Sequence, residues 1–292
     1  MDLNEIQVQQ RVAREPTYLP LEWPVERVIK PAKRRLRASN LLTMAPVVRT
    51  LAARDFKVKY KQSLLGPLWL VFQPLALLAG FILAFRGLAN VETAGVPYTV
   101  FALVGLTVWA FFQASMTIGT ASVVSNMPYV RFTPCPRPAF PIASVISSLP
   151  AFLVTASGAL VAAVVTGSLS PRAVLLPLGL VWLVTLTLGV ASISSALTVR
   201  YRDINSALPF LLQVGVFLAP IGYSLADLSN TARVIVDLNP LTGVIEAFRW
   251  MMLSGYQPSV EPILISAVAT ICLAIGGWWF FSRRETTMAD DI

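Results

Sequence analysis

The chain has 292 residues, of which 55% are hydrophobic and only 13% charged, with a formal net charge of +8 and a mean hydropathy of +0.67. A soluble domain carries about 25% charged residues, so this composition excludes a water-soluble globular protein, a disordered chain and a collagen-like one, and identifies an integral membrane protein. Two cysteines, Cys135 and Cys272, lie far apart and there is no histidine. These counts leave no disulfide framework, no metal-ligand spacing and none of the commonest general base.

Residues 1–45 read as a polar cytoplasmic tail. They run too long and too polar before the first apolar stretch to be a signal peptide, and Pro16, Pro20, Pro24 and Pro31 break any long helix. The cluster Lys30, Lys33, Arg34, Arg35 and Arg37 suits either anionic lipid headgroups or a solvated tail that sets topology. From Val48 the pattern changes. Val48, Ala52, Phe56, Tyr60 and Leu64 recur every four residues, with Arg54, Lys57 and Lys61 on the opposite face. This predicts a basic amphipathic helix in the membrane interface, or else a cytoplasmic extension of the first span.

Six apolar stretches follow, at 67–89, 96–119, 140–167, 173–197, 207–225 and 261–281. Each is near the roughly 20 residues a helix needs to cross a bilayer, and helices are the only option for such runs in lipid. The expected fold class is an all-α membrane protein. It has six transmembrane helices, an N-terminal amphipathic interface helix and short re-entrant outer helices between spans five and six. Of the 23 basic residues, 19 fall on the side holding both termini and the second and fourth loops: thirteen before Gly66, then Arg131, Arg137, Arg200, Arg202, Arg283 and Arg284. Both termini are therefore placed in the cytoplasm.

The spans hold no Asp, Glu or Lys away from their ends, which disfavours the intramembrane relays of proton-coupled pumps and secondary transporters. Asp203 has no paired carboxylate nearby, which disfavours an enzyme acting on a lipid phosphate. No G-x-x-x-x-G-K-[ST] phosphate loop is present, so uphill movement would draw its energy from another polypeptide, docked on the cytoplasmic loops. In the second loop Ser125, Asn126, Met127, Tyr129 and Arg131 form either a docking surface or a proline-rich turn. A helical turn is expected before Pro128 and extended chain after it. In the fourth loop Arg200 and Arg202 suit bidentate recognition of phosphate or carboxylate, or a topological anchor with Asp203 paired to one of them.

The stretch 227–260 is too long for a turn and too polar to span. Its half-apolar parts, 232–238 and 241–253, are split by Asn239 and Pro240, a capping residue followed by a favoured first helical residue. Val244, Phe248, Met251 and Met252 make one face, with Glu246, Arg249 and Trp250 around it. Two short helices dipping into the outer leaflet, covering or gating a pathway, fit this pattern better than a loose surface loop.

Several segments together resemble one family. Arg54-Asp55, Lys59-Tyr60-Lys61-Gln62-Ser63, Leu65-Gly66 and Leu68-Trp69 look like the opening motif of ABC-2 type polysaccharide export permeases. Tyr201-Arg202-Asp203, Pro220-Ile221-Gly222-Tyr223, Asn239-Pro240-Leu241-Thr242 and Glu246-Ala247-Phe248-Arg249 are similar to its second half in order and spacing, and Arg283-Arg284-Glu285 with Ala289-Asp290 to its end. The loop before span three departs from the family pattern, reading Asn126-Met127-Pro128-Tyr129-Val130-Arg131-Phe132. The resemblance implies an ABC-2 type transmembrane domain over 46–292, in a homodimer paired with two copies of a separate ABC ATPase. ATP and Mg would sit on that ATPase and no cofactor on this chain. The cargo would be a polysaccharide on a polyprenyl pyrophosphate lipid. The N-terminal amphipathic helix and Ser125, Asn126, Met127, Tyr129 and Arg131 would touch the ATPase, and Asn239, Pro240, Phe248, Arg249 and Trp250 would belong to an outer gate. The partners are then this ATPase, a second copy, the glycan lipid and membrane lipids, with no nucleic acid, in a bacterial inner membrane.

Two residue-level expectations join these. Phe101, Gly105, Trp109 and Phe112 share a helical face with Tyr98 near its outer end, and Phe210 and Phe217 lie seven residues apart. They either line a channel in which sugars stack on aromatic rings or face lipid. Arg54, Lys57, Lys61, Arg200 and Arg202 form a basic cytoplasmic mouth, fit for a pyrophosphate headgroup, for anionic lipid or for the ATPase. Rival functions are an ABC-2 permease for a small lipid or drug and a membrane enzyme acting on polyprenyl-linked sugars.

Overall fold

The computed structural model describes residues 39–61, 64–88, 95–132, 135–285 and 288. The basic cluster of the tail, Gln62-Ser63 and Ala289-Asp290 lie outside these residues. Among them every regular element is helical, apart from one isolated antiparallel bridge between Leu169 and Leu253.

Helix α1, Ser39–Tyr60, starts nine residues earlier than the stripe predicts and accommodates Pro46. Met44, Val48, Leu51 and Ala52 are buried because they share the face that packs on α5, Ala139–Ser147. Leu64, the last residue of the predicted stripe, lies beyond the helix and is fully exposed. Helix α2, Trp69–Phe81, continues into a π-helical turn, Ile82–Leu88, where Phe81 and Phe85 stack with centroids 5.3 Å apart.

The core is organised around α3, Tyr98–Ser125, which packs on α2, α5 and five further helices. A short helix α4, Met127–Phe132, follows it. This corrects the expectation of extended chain after Pro128. Pro128 is the second residue of α4, where a missing N–H leaves no intrahelical bond unmade.

The third predicted span is two helices, α5 and α6, Leu149–Val165, joined at Ser148. Ser147 and Ser148 both turn their hydroxyls back onto the Ser144 carbonyl, at 2.7 and 3.4 Å, and Pro150 falls in the first turn of α6. Such back-bonding serines and a proline are the ordinary causes of a break. Helix α7, Leu176–Arg200, follows a 3₁₀ turn at Pro171–Leu175.

Helix α8, Asp203–Leu218, stops seven residues short of the predicted end. Ala219 is extended (φ −93°, ψ 137°), as the residue before a proline tends to be. The remaining helices are α9, Asn230–Asp237, α10, Pro240–Met252, and α11, Val260–Arg284.

Among the described residues four helical stretches are long and apolar enough to cross a membrane: Tyr98–Ser125, Ala139–Val165, Pro171–Arg200 and Val260–Arg284. Trp69–Phe85 and Asp203–Leu218 are apolar but shorter. Helices α7 and α11 approach through glycine: a Cβ on Gly189 would stand 2.6 Å from the Leu273 carbonyl carbon, and one on Gly277 would strike the Gly189 carbonyl. Small residues that let backbones meet are the usual glue between helices in lipid.

Candidate functional site

The most connected polar cluster lies where α10 meets the non-helical segment after α8. Arg249 is wholly buried and Glu246 nearly so, at 0% and 1% exposure, and they pair at 3.3 Å across one helical turn. Arg249 Nη2 donates to the carbonyl oxygens of Pro220 at 2.5 Å and Ile221 at 2.9 Å. These carbonyls lack helical partners because α8 has ended. The Glu246 carboxylate accepts the Tyr256 hydroxyl at 2.7 Å and the Ser259 N–H at 3.4 Å. Tyr98 donates towards the carbonyls of Gly222 (3.0 Å) and Phe81 (3.2 Å). Within this cluster Arg249 Nε is buried and without a hydrogen-bond partner among the described residues.

Helix α10 is positioned for this by its ends. Asn239 Oδ1 accepts from the Leu241 N–H at 3.0 Å, as the predicted cap, and its amide donates to the Leu218 carbonyl at 3.3 Å. The Pro240 carbonyl accepts the Ser266 hydroxyl of α11. At the other end Arg172 lies over the Trp250 ring, 4.7 Å from its centroid, and donates to the Leu253 carbonyl. Phe248 is buried edge-on against Phe152. The five residues assigned to the outer hairpin therefore belong to one packed unit.

A second junction ties α1 to the turn between α3 and α4. Arg54 Nη2 donates to Asp55 Oδ1 at 2.8 Å and to Asn126 Oδ1 at 2.7 Å, and the guanidinium lies 5.7 Å from the Tyr129 ring centroid. Asn126 in turn donates to the Ser122 carbonyl at 2.7 Å. Ser125 and Tyr129 are exposed and Met127 half-buried; the Arg131 side chain lies outside the described residues.

The basic mouth is dispersed by comparison. Lys57, Lys61, Arg200 and Arg202 are exposed, and Arg200 lies over its neighbour Tyr201. Among the described residues Asp203 forms no ion pair and instead opens α8, where a carboxylate suits the helix N-terminus. Arg54 is the one of the five held across elements, so it serves the α1–α4 junction rather than an open surface.

The six aromatic residues expected to share a lining are not brought to one surface of this chain, which corrects that grouping. Tyr98, Phe101 and Trp109 are buried. Tyr98 is engaged by carbonyls, Phe101 lies beneath Arg249, and Trp109 packs across Gly215 of α8, where a Cβ would stand 2.8 Å from its ring. Phe112 is half-buried beside Trp109, while Phe210 and Phe217 are exposed on α8. Periodicity groups the residues of one helix face, but neighbouring helices cover the outer half of that face.

Sequence reasoning left Glu246, Tyr256 and Ser259 without roles. The signal was present: a carboxylate and an arginine three residues apart in a segment of few charges, where each must be paired if buried.

With this geometry in place, the comparisons identify the class. The ABC-2 type transporter family matches residues 46–253, and the chain belongs to that family. It is a multi-pass membrane protein. Its relatives include the O-antigen export system permease protein RfbA of Klebsiella pneumoniae, 27% identical over 253 residues, covering 86% of this chain and 96% of the relative. The RfbA protein of Myxococcus xanthus is 26% identical over 240 residues (81% and 92%). The polysialic acid transport protein KpsM of Escherichia coli is 23% identical over 247 residues (82% and 94%).

Proposed function

We propose that this chain is the membrane-embedded permease of an ATP-driven polysaccharide exporter, carrying a glycan linked to polyprenyl pyrophosphate out of the cytoplasm. The observation that supports this most is the similarity, over 81–86% of this chain, to permeases named for O-antigen and polysialic acid export. The chain has no phosphate loop of its own, so ATP and Mg belong to a separate ABC ATPase, which the family implies. In this reading two copies of the chain pair with two ATPase subunits in a bacterial inner membrane.

The chain crosses six times, using Trp69–Phe85 and Asp203–Leu218 as its two shorter crossings, and keeps both termini in the cytoplasm. The ATPase docks on α4 and on α1 at the Arg54 junction. Lys57, Lys61, Arg200 and Arg202 receive the pyrophosphate, whose charge calls for several cations. The α9–α10 hairpin forms the outer gate, and the Glu246–Arg249 cluster braces its hinge against the end of α8.

Depleting the protein and analysing lipid-linked sugars in the cell tests the reading. Accumulation of a long polyprenyl-linked glycan is expected. Unchanged lipid-linked pools with normal surface glycan would overturn it and favour a small-lipid or drug exporter.

A further inference from the structure

Between α1, α2, α3 and α6 lies a cavity of about 560 Å³, within the size range of ligand sites (about 300–1,000 Å³). One wall runs along α2 from Trp69 to Leu77 and the facing wall along α3 from Leu106 to Ile118. At a rise of about 1.5 Å per residue these walls are roughly 12 and 18 Å long. That is close to one leaflet of a hydrocarbon core about 30 Å thick. Ala151, Phe152 and Thr155 of α6 line it as well, and Asp55 and Lys59 of α1 stand one helical turn apart at the α1 end.

Below that end the lining is apolar apart from four polar side chains: the hydroxyls of Thr117 and Thr155 donate to carbonyls of their own helices, whereas the amides of Gln73 and Gln113 donate no hydrogen bond among the described residues. An apolar slot of leaflet depth with amides near its mouth and a lysine at its rim matches a lipid part by part. Its features are a hydrocarbon chain, ester carbonyls that accept hydrogen bonds, and a phosphate.

We propose that this cavity is a binding site for a bilayer glycerophospholipid, one acyl chain lying between α2 and α3, its ester carbonyls at Gln73 and Gln113 and its phosphate at Lys59. The site is independent of the cargo. Lys59 shares the rim with the Asp55 carboxylate, which disfavours a pyrophosphate needing several cations. A polyprenyl chain, far longer than one leaflet is deep, would overrun the slot. Desolvation by the walls lowers the Lys59 pKa from the ordinary lysine value although the residue as a whole is exposed, and a phosphate beside the ammonium offsets that.

The test is native mass spectrometry of the full-length chain extracted in detergent, with phosphatidylethanolamine and phosphatidylglycerol returned as probes. The wild-type chain is expected to retain one phospholipid per copy through delipidation. Ala114→Phe, which fills the middle of the cavity, should lose it, and Lys59→Glu and Gln113→Leu should each weaken retention several-fold. Equal retention by wild type and Ala114→Phe, with both eluting alike from a sizing column, overturns the proposal. If Ala114→Phe fails to fold, unchanged retention in both Lys59→Glu and Gln113→Leu overturns it. Recovery of a polyprenyl lipid in place of phospholipid also overturns it.

Discussion

The guanidinium of Arg249 lies over the ring of Phe101, 3.4 Å from its centroid, so the cation of α10 is held between an aromatic face of α3 and the carbonyls at the broken end of α8. Cation–π contact is strongest where water is excluded, and both residues are buried. Two segments far apart in the chain, Pro220-Ile221-Gly222-Tyr223 and Glu246-Ala247-Phe248-Arg249, meet at this point. Arg249 thereby compensates carbonyls that would otherwise be unpaired in an apolar environment.

Arg249→Ala should be among the most damaging single changes in the chain. It leaves Glu246 buried without its cation and strips the Pro220 and Ile221 carbonyls of their donor. Removing one member of a buried pair costs about 3–5 kcal/mol. Arg249→Lys should recover little, since an ammonium lacks the planar fork that serves Glu246 and two carbonyls together. Thermal unfolding of the detergent-solubilised protein, followed by size-exclusion, reads the loss.

Gly105→Ala probes the same place from α3. Its Cβ would stand 3.1 Å from the Ile221 Cα and 3.3 Å from Arg249 Nη2, so the end of α8 must give way. A loss of about 1–3 kcal/mol, typical of overpacking, is expected in the unfolding midpoint. Gly243→Ala should cost more, because its Cβ would run into the Pro262 carbonyl, which is backbone and cannot swing aside.

The positions and helical character of the apolar stretches were legible in the chain because hydropathy and the backbone's need for internal hydrogen bonds act locally. The Asn239 cap was legible for the same reason: it depends on two adjacent residues. The break at Ser148 and the early end of α8 were missed because an apolar window averages over serines and a proline whose effect is conformational. The meeting of Arg249 with Pro220 and Ile221 depends on tertiary packing, and no periodicity encodes it. The scattering of the aromatic set has one cause of the same kind. A helix wheel shows which residues share a face but not that α8 and α10 cover Trp109 and Phe101.

Stability near the carboxyl end should depend on pH through Glu285. It caps α11 at the end where a negative charge is unfavourable. Burial raises its pKa from the ordinary 4.5, and Arg137 pulls it part of the way back. A raised folded-state pKa means the folded protein holds this proton more tightly, so its contribution is present below the unfolded pKa and lost as pH rises through the folded one. Glu285→Gln should therefore unfold at a higher temperature than wild type at neutral pH. The difference should shrink as pH falls below about 4.

Arg54→Ala separates α1 from the α3–α4 turn. Asn126 is 7% exposed, and its carbonyl would lose the partner 2.7 Å away, a loss of about 1–3 kcal/mol for a buried acceptor. If α1 and α4 together receive the motion of an ATPase, the variant should hydrolyse ATP in the reconstituted complex while exporting less glycan per ATP consumed. An unchanged ratio would assign the junction a purely structural part.

The aromatic pathway is best tested on α8. Trp109→Ala would leave a hole against Gly215, costing about 3–5 kcal/mol, and lost export would then report lost folding. Phe210 and Phe217 are different: they are 66% and 62% exposed, so truncating them opens no cavity within this chain. If their rings carry a sliding glycan, Phe210→Ala with Phe217→Ala should lower export several-fold while expression, unfolding temperature and ATPase co-purification stay at wild-type levels. If the rings meet only lipid, export is unaffected by the pair. If they meet a second copy of the chain, the oligomer weakens before transport does. Export, unfolding and oligomeric state measured on the one double variant separate all three.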